Sequence, residues 1–321
     1  MTVPTSLAAL RRQGKGGLVR CLAALETDPL ADTVLDLLDE AWRVGEGVVI
    51  GLTGPPGVGK SSLLSVLARA WRDRGSTLAV LAVDPSSRRT GGALLGDRTR
   101  LALDPGDPGL FVRSLAARDR LGGLADLCAP ATVLLAALFD RVIVETVGVG
   151  QSESEIRDLA DLVLLAVQPA AGDGLQFMKA GILEVPDLLL VTKADLGEPA
   201  ERTRRELEAA CLLRGEKVPV HAISTVTREG VEGLLRALEE RIASHRSRPR
   251  DTRRAERSDA LLRAAVAGEF GRWGLRALAR WREEVGLDPA LSPFRHLRAF
   301  TECLAGERPR PPVASTGGPR P

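Results

Sequence analysis

Val48-Val49-Ile50-Gly51-Leu52-Thr53-Gly54-Pro55-Pro56-Gly57-Val58-Gly59-Lys60-Ser61-Ser62 passes from an apolar run, through a turn rich in Gly and Pro, into an amphipathic stretch. Residues 54–61 fit the pattern G-x-x-x-x-G-K-[ST] in the context that gives it meaning, after a strand and before a helix. A phosphate chain is held by successive backbone N–H groups, which Gly54, Gly57, Val58 and Gly59 can bring close, and a helix start adds unpaired donors. Lys60 is then placed for the β and γ phosphates and the Ser61 hydroxyl for one position on Mg²⁺. A chance match in a chain of this length arises about once in a hundred sequences. Five of the 44 basic residues are Lys, which makes the Lys at position 60 informative.

Outward from this turn, short apolar runs bounded by Gly, Asp or Pro recur at Leu78 to Val83, Val142 to Val144, Leu162 to Val167, Leu188 to Val191 and Val218 to Ile223. Runs that are hydrophobic on both faces suit a buried parallel sheet. Helical periodicity falls between them, at Leu63 to Trp71 and over 199–214 and 229–245. The expected fold is α/β, a P-loop NTPase with a mostly parallel, doubly wound sheet and helical extensions at both ends. Residues 5–45 read as two helices ending at Gly45. Residues 258–286 return to helical spacing with a break expected between Gly268 and Gly274, a segment too short to hold its own core and so expected to pack on the main domain or a second subunit.

The whole chain of 321 residues carries 44 Lys+Arg against 42 Asp+Glu, a formal +2. That field implies neither nucleic acid nor an acidic membrane as main partner. No apolar run approaches the roughly 20 residues of a membrane span and the first 17 residues lack a signal-type apolar core, so a cytoplasmic location is expected. Cys21, Cys128, Cys211 and Cys303 are too dispersed for a disulfide framework or a local metal cluster, and His221, His245 and His296 are equally scattered. The stretch Arg246 to Arg257 holds six Arg and no aromatic residue, and reads as a solvated linker.

Two further strand ends carry chemistry. Leu188 to Val191 runs into Thr192-Lys193-Ala194-Asp195, a variant of N-K-x-D. The Asp195 carboxylate can accept from guanine N1–H and the 2-amino group, whereas adenine would leave it unpaired at a cost of several kcal/mol (order of magnitude). Lys193 can lay its alkyl stem over the base, and Thr192 in place of Asn is expected to lose an amide that braces base and phosphate loop. Ile223-Ser224-Thr225 follows as a base-contacting loop. Arg141 to Gly148 ends in E-x-x-G, where Glu145 is expected to reach Mg²⁺ through water and the Gly148 amide to face the γ-phosphate. Asp84, and Asp97 in the Gly91 to Thr99 loop, are candidate Mg²⁺ or water-positioning groups. Gln151 either orients water or starts a helix.

The runs Gly54 to Leu63, Val83 to Leu101, Val112 to Asp126, Glu145 to Ser154 and Val191 to Leu196 together resemble the MeaB/ArgK family over roughly residues 18–245. These are P-loop GTPases of the SIMIBI class that act as chaperones of adenosylcobalamin-dependent methylmalonyl-CoA mutase and related acyl-CoA mutases. The resemblance implies that Gly57, Gly59, Lys60, Ser61 and Ser62 hold the phosphates of GTP or GDP, that Asp84, Asp97 and Glu145 surround Mg²⁺, and that Asp195 reads guanine. Lys60, Asp97 and Glu145 become the candidate catalytic residues. It also implies a switch loop at Gly172-Asp173-Gly174-Leu175-Gln176 and Lys179, a homodimer formed by C-terminal helices, and a cobalamin mutase as partner. The chain departs from the family at Gly174 and Thr192.

The expected organisation is an N-terminal helical extension (1–46), a GTPase domain (47–245), the Arg-rich linker (246–257), a C-terminal helical arm (258–304) and a disordered tail (305–321). Rival readings are a small-molecule kinase of the kind labelled arginine/lysine transport kinase, a metallochaperone GTPase, which would be expected to carry a Cys or His cluster near its switches, and a scaffold that binds nucleotide without turnover.

Overall fold

The computed structural model describes residues 3–85, 104, 106–117, 127–146, 148, 152–169, 186–213, 215 and 217–306. Asp97, Gln151, Gly172 to Gln176, Lys179 and residues 307–321 of the tail lie outside the described residues. In chain order the helices are α1 (Leu7–Thr27), α2 (Asp32–Val44), α3 (Lys60–Asp73), α4 (Cys128–Ala136), α5 (Ser152–Leu159), α6 (Glu198–Leu213), α7 (Val231–Ser247), α8 (Arg250–Val285) and α9 (Pro293–Leu304). The strands are β1 (Val48–Thr53), β2 (Leu78–Pro85), β3 (Leu110–Ala117), β4 (Arg141–Glu145), β5 (Leu162–Val167), β6 (Leu188–Val191) and β7 (Val220–Ala222). Two compact units emerge: Val48–Ala125 with Phe139–Ser247, and residues up to Gly47 with Asp126–Leu138 and those from Arg248 onward.

In the first unit all seven strands are parallel, in the order β3-β2-β4-β1-β5-β6-β7. β1, β4, β5 and β6 are buried along their whole length, because helices cover both faces. On one face Leu63, Leu64, Leu67 and Trp71 of α3 and Leu234, Leu235, Leu238 and Ile242 of α7 pack on Val48, Ile50 and Leu52. On the other, Ala200, Leu207 and Cys211 of α6 pack on Leu165, Val167, Leu189 and Val191. The chain winds from β1 toward one edge and then, after β4, toward the other, so the sheet reverses direction at β1. The crevice beyond the C-terminal ends of strands at such a reversal is where doubly wound folds bind ligands. Registers Leu52↔Glu145, Thr53↔Leu165, Val167↔Val191 and Val191↔Ala222 bring the turns after β1, β4, β6 and β7 to that one edge of the sheet.

The six apolar runs are strands, with β7 shorter than expected. A seventh, β3, was not legible as one: it is an edge strand interrupted by Arg113 and Ser114, and its middle residues are only half-buried. Helix α4 is almost wholly apolar and buried throughout except at Ala129, so no one-sided stripe marks it.

The second unit contradicts one expectation. Arg250 to Arg257 are not a linker but the opening turns of α8. There the guanidinium groups have local partners: Arg250 pairs with Glu46 at 2.5 Å, Arg248 with Glu256 at 2.6 Å, and Arg254 lies 5.4 Å over the Trp42 ring. Residues 258–286 pack with α9 and with Leu30. Leu262 and Val266 from one half of α8, Leu278 and Trp281 from the other, and Leu297 and Phe300 of α9 form one buried cluster, with Trp281 edge-on to Phe300 at 5.7 Å. The two halves of α8 meet at Gly271, where φ is 58°, inside the window expected for the break.

Candidate nucleotide-binding site

The turn after β1 depends on close backbone approach. Gly54 takes φ 143°, and a Cβ there would lie 2.2 Å from the Ala166 carbonyl oxygen of β5. Val58 is wholly buried in the sheet–helix core and pins the turn from below. Gly59, at φ 101°, is the N-cap of α3 and, having no side chain, makes no cap bond to the first amides of that helix. Such donors suit a phosphate. Lys60 follows, 8% exposed, with Nζ donating to the carbonyl oxygens of Gly54 at 2.6 Å and Pro55 at 3.1 Å. Its charge thus sits at the turn in surroundings that strengthen its field. Ser62, the next residue but one, is exposed on the first turn of α3.

β4 brings the second group of residues to the same place. The Ser61 hydroxyl donates to Glu145 Oε1 at 3.0 Å. Thr146 then ties the strand end to β1, its amide donating to Leu52 O at 3.0 Å and its hydroxyl to Thr53 Oγ1 at 2.8 Å. Gly148 closes on the phosphate turn: a Cβ would stand 1.6 Å from the Gly54 carbonyl oxygen and 3.0 Å from Lys60 Nζ. Only glycine fits so near. A hydroxyl and a largely buried carboxylate are hard oxygen donors of the kind Mg²⁺ takes, and among the described residues no cluster of three or more His, Cys, Asp or Glu offers a complete protein cage. This matches the habit of Mg²⁺ of taking one or two protein ligands and completing its shell with phosphate oxygens and water. The backbone of Asp84 continues β2 two residues beyond Ala82, the register partner of Glu145; its side chain lies outside the described residues.

The base side is assembled from the ends of β6 and β7. Thr192 is buried, with its amide donating to Val167 O at 2.9 Å. Its hydroxyl lies 2.8 Å from Val58 O and 3.1 Å from Val167 O. This corrects the expectation for this position. The Thr192 hydroxyl itself braces the phosphate turn at Val58 O, and what Thr lacks beside Asn is a second polar arm. Lys193 takes φ 56° and Arg228 φ 67°, the two non-glycine residues with positive φ among the described residues. Both stand in the loops that flank Asp195, where backbone strain commonly accompanies function.

Lys193 Nζ donates to Gln168 Oε1 at 2.7 Å. Gln168, directly after β5, was not singled out by sequence reasoning, and its only signal was its place at a strand end. Asp195 is exposed, and its Oδ1 accepts from the Ser224 hydroxyl at 2.5 Å. Ser224 is itself fully buried and its Oγ accepts from the amides of Val226 and Thr227 at 3.2 and 3.1 Å. It therefore sets the carboxylate, and the half-buried Thr225 follows it in the same turn.

The structure thus gathers Gly54, Gly57, Val58, Gly59, Lys60, Ser61, Glu145 and Gly148 around one turn, and joins Thr192 to it with Lys193, Asp195, Ser224 and Thr225 alongside. Comparisons with known proteins bear on the family. A probable GTPase of Mycobacterium tuberculosis H37Rv is 38% identical over 242 residues, covering 72% of this chain and 71% of that protein. A Pyrococcus abyssi protein with GTPase in its name is 47% identical over 174 residues, 54% of this chain and 53% of its own. The mouse methylmalonic aciduria type A homolog, mitochondrial, is 42% identical over 167 residues, 51% of this chain and 40% of its own. The chain spans about half the length of several curated relatives it matches. Among solved structures, an LAO/AO transport system kinase matches with a TM-score of 0.60 at 24% identity, over 92% of this chain and 95% of that one, a likeness of fold. The model of the methylmalonyl Co-A mutase-associated GTPase MeaB matches residues 23–272; the chain belongs to that family.

Proposed function

We propose that this protein binds GTP and GDP and hydrolyses GTP to GDP and phosphate, using nucleotide state to control an adenosylcobalamin-dependent acyl-CoA mutase. The observation that carries the reading is the Thr192 hydroxyl resting 2.8 Å from the Val58 carbonyl oxygen. That contact joins the phosphate turn to the loop bearing Asp195, so one ligand must satisfy a phosphate cradle and a guanine acceptor together.

Each residue has a chemical task in this reading. The amides from Gly57 to Ser62 and the Lys60 ammonium hold phosphate oxygens and stabilise the charge that spreads over them during transfer. Ser61 and Glu145, with Asp84 and Asp97 from the sequence reading, would hold Mg²⁺, which supplies charge neutralisation between the phosphates when bound. Gly148 presents its backbone beside the phosphate turn. Asp195, fixed by Ser224, accepts from the guanine edge, while Lys193, steadied by Gln168, covers the base.

The mutase partner is supported by the family description and by relatives named as methylmalonic aciduria type A homologs. A homodimer through the C-terminal helices and a cytoplasmic location belong to the same proposal; no helix among the described residues is long and apolar enough to cross a membrane. The test is turnover of GTP, ATP and no nucleotide analogue beyond these, with and without a purified cobalamin mutase. GTP-selective phosphate release that the mutase accelerates at least tenfold supports the reading. ATP preference with a phosphorylated small molecule as product would replace it with the kinase alternative.

A further inference from the structure

The sheet edge opposite the nucleotide site carries a carboxylate bridge that none of the roles above uses. Glu239 of α7 accepts from Trp71 Nε1 at 2.7 Å through Oε1 and from Arg141 NH2 at 3.0 Å through Oε2. Trp71 is 1% and Arg141 6% exposed, so both donors are removed from water and need this acceptor. The Arg141 guanidinium also donates to Asp140 O at 3.1 Å.

The two donors stand at the far ends of the elements that carry the metal-side residues. Trp71 closes α3, which opens with Lys60 and Ser61, about 16 Å away at the rise of a helix. Arg141 opens β4, which ends at Glu145, about 13 Å away at the rise of a strand. Helix and strand are rigid over such lengths. A clamp between Trp71 and Arg141 therefore sets how far α3 stands along β4, and that offset appears at the other end as the 3.0 Å approach of Ser61 to Glu145. The clamp comes from α7, which begins directly after Gly230, at the end of the turn that opens with Ser224, the residue bonded to Asp195.

We propose that Glu239 is a positioning residue that fixes Ser61 against Glu145 and so sets the magnesium dependence of nucleotide binding. The inference rests on the magnesium-dependent GTPase reading above. GDP affinity is measured for the full chain by calorimetry across a Mg²⁺ titration and in EDTA, beside thermal melts. Glu239→Ala is expected to raise the half-saturating Mg²⁺ concentration about tenfold while changing GDP affinity in EDTA by less than twofold. Trp71→Phe, which removes one of the two hydrogen bonds, should give a smaller shift.

Because Glu239→Ala takes the ion-pair partner from the buried Arg141, leaving it the Asp140 carbonyl oxygen and the charge of the Asp140 carboxylate, a loss of stability is separated by the double variant Arg141→Met/Glu239→Leu, which removes both charges. A melt restored toward wild type with the Mg²⁺ shift retained supports positioning. Wild-type Mg²⁺ dependence in Glu239→Ala, or a Mg²⁺ dependence that returns with the melt in the double variant, overturns it. Absence of GDP binding by the wild-type chain at saturating Mg²⁺ overturns the GTPase reading itself and this inference with it.

Discussion

The Thr192 hydroxyl lies 2.8 Å from the carbonyl oxygen of Val58, so the strand end that leads to the base-reading loop is tied directly to the phosphate turn. A hydroxyl has one proton to give, shared between Val58 O and the Val167 O at 3.1 Å. That proton is spent within the fold, and the side chain has no donor left for a base. Its role is to hold two recognition loops at a fixed separation.

Thr192→Val keeps the shape and removes the donor, leaving the buried Val58 carbonyl short of a partner. At about 1.4 kcal/mol for such a loss, GDP affinity should fall roughly tenfold. GDP and IDP should lose equally, since the base edge is not involved, and Thr192→Ser should recover most of the loss. Calorimetric titration with both nucleotides checks this, and a loss confined to GDP would reassign Thr192 to base contact.

Asp195 is held by Ser224 with its carboxylate exposed. Asp195→Asn replaces an acceptor by an amide that presents a donor, so guanine loses a hydrogen bond and meets an N–H facing its own N–H. GDP affinity is expected to drop at least a hundredfold. Xanthosine diphosphate, with a carbonyl at C2, should bind the variant better than it binds the wild type. Competition between the two nucleotides reads the switch directly.

How much of this was legible before the fold was known depends on the range of the interaction. Lys60, Ser61 and the glycines before them are a contiguous pattern whose geometry is local, and the strand and helix around them are marked by apolar spacing. Glu145 was recognisable because it ends an apolar strand, and Asp195 because it follows one four residues on. The Thr192 brace spans 134 residues of chain, and the Gln168 contact to Lys193 spans 25; neither leaves a trace in spacing. The Arg-rich segment misled because composition reports charge but not its partners, and Arg250 finds Glu46 only once the chain has folded back.

Gly148 sits against the phosphate turn so closely that a methyl group would lie 1.6 Å from the Gly54 oxygen. Its φ of 78° adds backbone strain for any other residue. Gly148→Ala must therefore displace either its own loop or the Gly54 turn. GTP turnover should fall at least a hundredfold, while the melting temperature moves by only a few degrees because the displaced atoms belong to turns beyond the strand ends. Steady-state phosphate release beside a melt distinguishes the two effects, and turnover near wild type would mean that the loop yields without consequence.

Acid should destabilise the protein in two separate windows. Burial pushes the imidazole values of His296 and His221 below the ordinary 6.5, His296 being fully buried with Nε2 bonded to the Asp288 carbonyl oxygen at 2.9 Å. A depressed base takes up its proton first in the unfolded chain. Their contribution is therefore intact above about pH 6.5 and is lost as the pH falls from there through the folded values. Asp140 behaves as an acid: burial would raise its value, but hydrogen bonds from the Thr77 amide and hydroxyl and the charges of Arg141 and Arg246 outweigh that and lower it below 3.8. Its contribution is intact above that value and is lost only as the pH falls further. Denaturant melts from pH 8 to 3 should show a first decline beginning near neutrality and a second below pH 4. His296→Gln should shrink the first, to which His221 still contributes, and leave the second, and Asp140→Asn should leave the first and shrink the second, to which Glu201, lowered to about 2 by Arg204 and Arg205, also contributes. A first decline of unchanged slope in His296→Gln would assign it to other groups.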